Sequence, residues 1–410
     1  NYTRNTGYLE GVCFLMSQRI IEISGRDYIG KSTQADMLTY WSLQYCKNFG
    51  GFGSFAHGIP NNQTEAEQWN WWFRDTSFNE LSDTLVNAYL SRQDAISKAP
   101  HDLVVVERGA SMIGAQIAAN FSTRTETEVE ENLERATEAT KLTTRPIANM
   151  QKDEFVLQED DSWQNRVGHM HDYLRRANAK GTPYSRDQQD FYKQYQRNLA
   201  KALLLLSDIN NTTLSEVDGA AVDVQNKIRS HERIRDLRLP TILEQEPVVI
   251  GLSGLSEAGK GSVAQFMSEH YDFTRLKLGF FNEISRDKES YGDVRTIAMN
   301  ALHFIACNRH LTRVTFESLH GADLAAELKI MLGDRWKIVF IDLNEEDRME
   351  RLRSEKPSED LSNLLQEQRE KDNDKMAAGI LGCKALADVV VDNSGNLSET
   401  VDNIVKEIKL

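Results

Sequence analysis

A short β-branched run leads into a glycine loop closed by lysine, and then into a helical pattern, twice in this chain. The first copy is Arg19-Ile20-Ile21-Glu22-Ile23-Ser24, then Gly25-Arg26-Asp27-Tyr28-Ile29-Gly30-Lys31-Ser32, then a helical pattern from Ser32 to about Gln44. The second is Val248-Val249-Ile250-Gly251-Leu252, then Gly254-Leu255-Ser256-Glu257-Ala258-Gly259-Lys260-Gly261-Ser262 and a helical pattern. The spacing has a chemical reason. Glycines let a loop wrap tightly enough for successive backbone N–H groups to converge, and the helix that follows adds its positive N-terminal end. The first loop fits the phosphate-binding pattern G-x-x-x-x-G-K-[ST], and the second is a variant with glycine between lysine and serine. Lys31 and Lys260 are expected on the β- and γ-phosphates of ATP, and Ser32 and Ser262 on Mg²⁺. Gly25, Gly30, Gly254, Gly259 and Gly261 give the loops their curvature. Glu257 is unusual, because a carboxylate inside a phosphate cradle is repulsive unless it turns away.

Strands alternate with helices around both loops. Leu103-Val104-Val105-Val106 reads as a buried parallel strand, with Phe155-Val156-Leu157 a weaker one. The second half adds Arg313-Val314-Thr315-Phe316, the run Trp336 to Asp342, and Asp388-Val389-Val390-Val391. This alternation predicts an α/β fold of two tandem P-loop NTPase domains, each a parallel β-sheet sandwiched between helices. A length of 410 residues suits two or three domains. The stretch from Leu239 to Pro247, with prolines near its ends, is the expected linker, giving domains at 1–239 and 247–410. Polar, glutamate-rich residues 123–144 predict a solvated helix, and 188–206 and 222–235 predict two more helices.

A net charge of -14 argues against sequence-independent nucleic-acid binding, which needs a basic surface. It leaves room for small anionic ligands held by local donors. Cys13, Cys46, Cys307 and Cys383 show no metal-like spacing, so reduced thiols and a cytoplasmic location are expected. The apolar stretches are strand-sized, no membrane span is expected, and the first residues show no signal-peptide pattern.

Over residues 17–235 the first half resembles thymidylate kinases. Gly25-Arg26-Asp27 through Gly30-Lys31-Ser32-Thr33-Gln34 is similar to that family's G-x-D-G-x-G-K-[ST]-T-Q, with Tyr28 in place of a glycine. The resemblance implies that Asp27 helps position the acceptor and that Thr33 belongs to the ATP site. Val106-Glu107-Arg108-Gly109 stands where the family has a strand ending in Asp-Arg-Tyr, so Glu107 keeps the carboxylate, Arg108 the guanidinium, and Gly109 lacks the tyrosine. Ser91-Arg92 resembles the pair whose arginine holds the acceptor nucleotide. Arg175, Arg176 and Arg186 fall where the lid over the phosphates belongs.

Residues 247–410 resemble the dephospho-CoA kinase and deoxynucleoside monophosphate kinase group. The arginines of Leu343 to Arg353, among them Arg348 and Arg351, are spaced like the helix leading into that group's lid, and Arg369-Glu370-Lys371-Asp372 resembles the lid itself. Glu317, ending a strand, is a candidate for Mg²⁺ or the acceptor hydroxyl, and His320 stands where one branch has arginine. The cluster Trp69, Trp71, Trp72 and Phe73 is either core or a base-stacking platform, the former being commoner. His169 and His171 are too closely spaced to face one another on a helix.

These features predict ATP- and Mg²⁺-dependent phosphoryl transfer to nucleotide substrates, deoxythymidylate leading for the first domain, with a homodimer as an allowed assembly. Two rivals stand beside this reading. The second P-loop domain could only regulate or assemble, or the fold could serve a different small acceptor.

Overall fold

The computed structural model describes residues 18–26, 29–42, 49–52, 65–99, 101, 103–140, 150–158, 186–210, 213–216, 220–237, 239, 241–283, 293–357 and 360–409. They form two compact units. One is built from described residues up to Leu157 and from Arg186–Leu214, the other from Gln158 and the described residues from Ser215 on, so the boundary cuts the ends of two strands of the first sheet, which are described with that sheet.

The first unit runs β1 (Gln18–Ser24), α1 (Lys31–Ser42), β2 (Phe49–Phe52), α2 (Glu65–Asn70), a π-helical turn (Trp71–Asp75), α3 (Phe78–Ser97), β3 (Leu103–Glu107), α4 (Ala110–Thr125), α5 (Val129–Thr140), β4 (Met150–Gln158), α6 (Arg186–Asn210) and β5 (Thr213–Glu216). The sheet order is β2-β3-β1-β4-β5, and β1 pairs in parallel with both β3 and β4. Ile20, Ile21 and Ile23 are all fully buried, which suits a strand covered on both faces. Helix α3 starts at Ser77, whose hydroxyl accepts from Glu80 N, and it buries Leu81, Leu85, Tyr89, Arg92 and Ile96 at helical spacing. Ile96 joins Ile20, Val104 and Val106 in one core cluster.

One expectation changes here. The glutamate-rich stretch is not one solvated helix. Helix α4 stops at left-handed Glu126, and α5 buries Val129, Leu133 and Ala136, so it is amphipathic. Of the tryptophan cluster, Trp69 and Phe73 are core, as the commoner reading had it, whereas Trp71 and Trp72 are half-buried. Trp69 packs on Phe191 and Phe73 on Tyr195 of α6, with ring centroids 5.8 and 5.0 Å apart.

The second unit runs α7 (Ala221–Ser230), a 3-10 turn (Glu232–Leu237), β6 (Val248–Ser253), α8 (Lys260–His270), β7 (Thr274–Lys277), α9 (Leu278–Glu283), α10 (Val294–Cys307), β8 (Arg313–Glu317), α11 (Ala322–Leu332), β9 (Trp336–Asp342), α12 (Glu345–Glu355), α13 (Leu361–Ala377), α14 (Ile380–Leu386), β10 (Val389–Asp392) and α15 (Leu397–Glu407). The sheet order is β10-β9-β6-β8-β7, with β6 parallel to β8 and β9. Counted within each unit, the first strand of both sheets is central, and the strand carrying the glycine loop has parallel neighbours on both sides.

The proline-bearing stretch 239–247 lies inside this second unit rather than at its edge. Arg335, just before β9, explains why. It donates to both carboxylate oxygens of Asp223 at 2.8 and 3.0 Å and to Glu246 Oε2 at 2.5 Å, tying α7 and the stretch before β6 to the second sheet.

Candidate functional site

In the first unit β1 delivers the chain to the glycine loop at its carboxyl end, where open α/β sheets bind ligands. Gly30 holds φ 92°, and Lys31 opens α1. The Lys31 ammonium is buried and donates to Arg26 O at 2.7 Å, so the lysine curls back over its own loop. Ser32 Oγ donates to Glu107 Oε2 at 2.7 Å. The loop hydroxyl and the carboxylate ending β3 thus meet beside the cradle. Hard oxygen donors of this kind suit Mg²⁺ together with phosphate oxygens and water. Thr33 is buried in the first turn of α1.

The turn after β3 is held tightly. Arg108 takes φ 60°, and its N–H reaches Ile23 O at 2.9 Å. Arg92, buried in α3, donates to Glu107 O at 2.5 Å and to Arg108 O at 2.8 Å. The structure therefore places Arg92 behind the turn, shaping it. Its guanidinium lies over the Tyr89 ring, 5.3 Å from the centroid, and burial lowers its pKa.

In the second unit Lys260 Nζ donates to Gly254 O and Leu255 O at 2.8 and 2.6 Å. Burial, and then the neighbouring Lys375, lower Lys260 to about 7. Burial, followed by Lys375 and Lys260, lowers His320 to about 4, so it is neutral where an arginine would be charged. Glu257 takes φ 58° within the loop. Arg348 is buried and donates to Ser256 O at 3.1 Å and to Asp372 Oδ2 at 2.5 Å. Asp372 Oδ1 accepts from Ser256 N at 3.0 Å, and Lys375 Nζ donates to Ser256 Oγ at 2.8 Å. Arg351 donates to Asn393 O, and Asn393 Nδ2 donates to Ala258 O at 2.8 Å. Gly259, at φ 91°, leaves room for both, since a Cβ there would crowd the Asn393 amide and lie 2.8 Å from an Arg351 nitrogen. Glu317 is buried and paired with Arg275 at 2.8 Å, its other oxygen facing Gly261 of the loop. Ser262 is exposed at the start of α8.

Of the residues singled out from sequence, the structure brings Lys31, Ser32, Glu107 and Arg108 together with Arg92 in one unit. In the other it brings together Lys260, Arg348, Arg351 and Glu317. From α13 it brings Asp372 and Lys375 to the loop, whereas Arg369 and Lys371 are exposed and Lys371 pairs only weakly with Glu367. The helical period decides this: Leu364, Gln368, Asp372 and Lys375 share the inward face. Asp27, Arg175 and Arg176 lie outside the described residues, as does the Arg186 side chain. Among the described residues no cluster of three or more His, Cys, Asp and Glu could hold a metal, and no helix is long and apolar enough to cross a membrane.

Two parallel sheets, each flanked by helices and each with a glycine loop between its first strand and helix, define a tandem pair of P-loop NTPase folds. No family model matches the chain, and no curated protein matches it. Among solved structures it is similar to shikimate kinase from Aquifex aeolicus, at 20% identity over 39% of this chain and 96% of that one, with a TM-score of 0.24. It is also similar to thymidylate kinase from Ehrlichia chaffeensis, at 12% identity over 52% and 97%, with a TM-score of 0.30. A gluconokinase from Sinorhizobium meliloti matches at 18% identity over 40% and 92%, with a TM-score of 0.27.

Proposed function

We propose that the chain is an ATP-dependent kinase of small phosphate acceptors, with the first unit transferring the γ-phosphoryl group to a nucleoside monophosphate. The observation that carries this reading is the 2.7 Å bond between Ser32 and Glu107, which joins the phosphate loop to the strand end where an acceptor approaches. Ser32 would hold Mg²⁺ directly and Glu107 through water, and the ion would supply charge neutralisation on the phosphates. Lys31 supplies a preorganised positive charge for the transferring group, and fixed charge aimed at the transition state does most to lower the barrier in such reactions. Arg108, kept in its left-handed backbone conformation by Arg92, serves the acceptor side of the site. Deoxythymidylate is the leading acceptor, on the resemblance of residues 25–34 and 107–108.

A coupled ADP-release assay across the common nucleoside monophosphates and dephospho-CoA tests this. Turnover with deoxythymidylate is expected, and Glu107→Gln should reduce it strongly. Turnover only with another acceptor would replace the thymidylate assignment, and no turnover with any would remove the kinase reading.

A second reading applies to the second unit. Asp372 already occupies the Ser256 N–H, and His320 is uncharged where the resemblance leads one to expect arginine. These two features favour a regulatory nucleotide-binding module there. Phosphorylation of dephospho-CoA or of a nucleotide that is lost in Lys260→Ala would exclude it.

A further inference from the structure

The turn carrying Glu107 and Arg108 is backed by two buried carboxyl groups that the reaction just described does not use. Glu22 on β1 and Glu154 on β4 are register partners, so they project from the same face of the sheet. They are 2% and 8% exposed. Glu22 Oε1 accepts from Tyr89 Oη at 3.1 Å, which itself accepts from Lys152 Nζ at 2.7 Å. Glu22 Oε2 accepts from Ala110 N at 3.2 Å. Glu154 Oε1 lies 2.5 Å from Ser24 Oγ, and Ser24 Oγ accepts from Gly109 N at 2.8 Å. Glu154 Oε2 accepts from Ser111 Oγ at 2.8 Å and from Ser111 N at 3.4 Å.

Helix α4 has no cap from its own N-cap residue, Gly109. Its first two N–H groups are satisfied instead by these carboxyls from the sheet, which fills the role an Asp or Ser usually plays. A Cβ on Gly109 would sit 2.6 Å from an oxygen of each glutamate. The two carboxyls therefore flank a single point directly after Arg108.

The ionisable groups facing the pair are Tyr89 and Arg92 from α3 and Lys152 from β4, with the charge of Arg108 felt by Arg92. Burial lowers both Arg92 and Lys152, so neither cation is cheap to hold here. A second acid this close makes the charged form of Glu154 costlier still. Burial, and then the charge of Glu22, push Glu154 up to about 7.

Resting on the phosphoryl-transfer reading of this site, we propose that Glu154 holds a proton beside Glu22 and that the buried pair positions the Glu107–Arg108 turn through the first turn of α4. With the proton bound, the pair presents one negative charge to the α4 N-terminus, an arrangement the helix dipole favours. When the proton leaves the Glu154 carboxyl for solvent, two like charges face each other across Gly109. The carboxylates separate, the first turn of α4 shifts with them, and Glu107 is drawn away from Ser32.

The test compares the full-length protein with Glu154→Gln, which is of similar size and permanently neutral, and with Glu154→Ala. A folded pKa raised above the unfolded one stabilises at low pH, and that stability is lost as pH rises through the folded value. The wild-type thermal midpoint should therefore fall between about pH 5 and about pH 8, and the Gln variant should lose that slope. Amide resonances of residues 107–111 should titrate in the wild type and stay fixed in the Gln variant. Glu154→Ala should lower kcat about 10²-fold, the cost of an ångström-scale misplacement, with KM for ATP little changed, and Glu154→Gln should restore it. An identical midpoint slope in wild type and Gln variant overturns the proposal, as does turnover whose pH profile the Gln substitution leaves unaltered. Should the variants not fold, a protonated-carboxyl infrared band in the wild type that fades near neutral pH upholds it, and its absence at pH values below neutrality overturns it. Titrating amides without turnover on any acceptor uphold the carboxyl pair and sink the kinase reading alone.

Discussion

Asp372 Oδ1 sits 3.0 Å from the backbone nitrogen of Ser256, so a carboxylate from α13 rests on an amide of the second phosphate loop. An anion already bound there competes with a phosphate oxygen and repels it. Asp372→Asn keeps an acceptor and removes the charge. We expect ATP to bind the second unit about tenfold more tightly in this variant, equivalent to about 1.4 kcal/mol. Calorimetry in a Lys31→Ala background isolates that loop, and unchanged or weaker binding would show that Asp372 supports the loop without competing for it.

The buried Lys260 ammonium gives a second expectation. Burial and Lys375 hold it near 7. A bound phosphate favours the charged form, so binding at neutral pH should take up a proton and weaken as pH rises above about 7. The binding enthalpy should therefore change with the ionisation enthalpy of the buffer. Lys260→Met should abolish that dependence, and a buffer-independent enthalpy in the wild type would place the lysine in its charged form throughout.

Each loop lies between the first strand of its own sheet and the helix that follows it, so the two should fail separately. Removing one preorganised donor costs about 10²–10³ in rate. Lys31→Ala should lower first-unit turnover by that factor and leave ATP binding in the second unit intact, with Lys260→Ala doing the reverse. One mutation silencing both loops would mean that they are coupled.

Arg335 should matter for stability alone. Its side chain is 18% exposed and holds Asp223 and Glu246. Charge-assisted bonds of this kind are worth about 1.5–3 kcal/mol. Arg335→Ala should lower the thermal midpoint of the second unit and leave ATP affinity unchanged. A loss of affinity at an unaltered midpoint would contradict the structural role.

Both glycine loops and their flanking strands were legible because their local pattern is dense: β-branched runs, fixed glycine spacing and a lysine at the helix start. The strands Phe49–Phe52, Thr274–Lys277 and Thr213–Glu216 were not. At four residues each, with glycine or polar residues, they carry little periodicity and owe their place to the sheet. In α13 the charge run drew attention to Arg369 and Lys371, whereas the inward face is set by buried Leu364 and Gln368, from which Asp372 and Lys375 follow at helical spacing. The buried glutamates were hidden for another reason. Glu22 is a lone acid in an apolar strand, and only the pairing of β1 with β4 brings Glu154 beside it.

Gly109 ties the choice of residue after Arg108 to that pair. A side chain at this position would have to displace an oxygen of Glu22 or Glu154, each 2.6 Å from the point where its first carbon would lie. Positions 22, 109 and 154 are therefore one unit of sequence change. A relative with a bulky residue at 109 must lose an acid at 22 or 154, and one that keeps both acids is confined to glycine there.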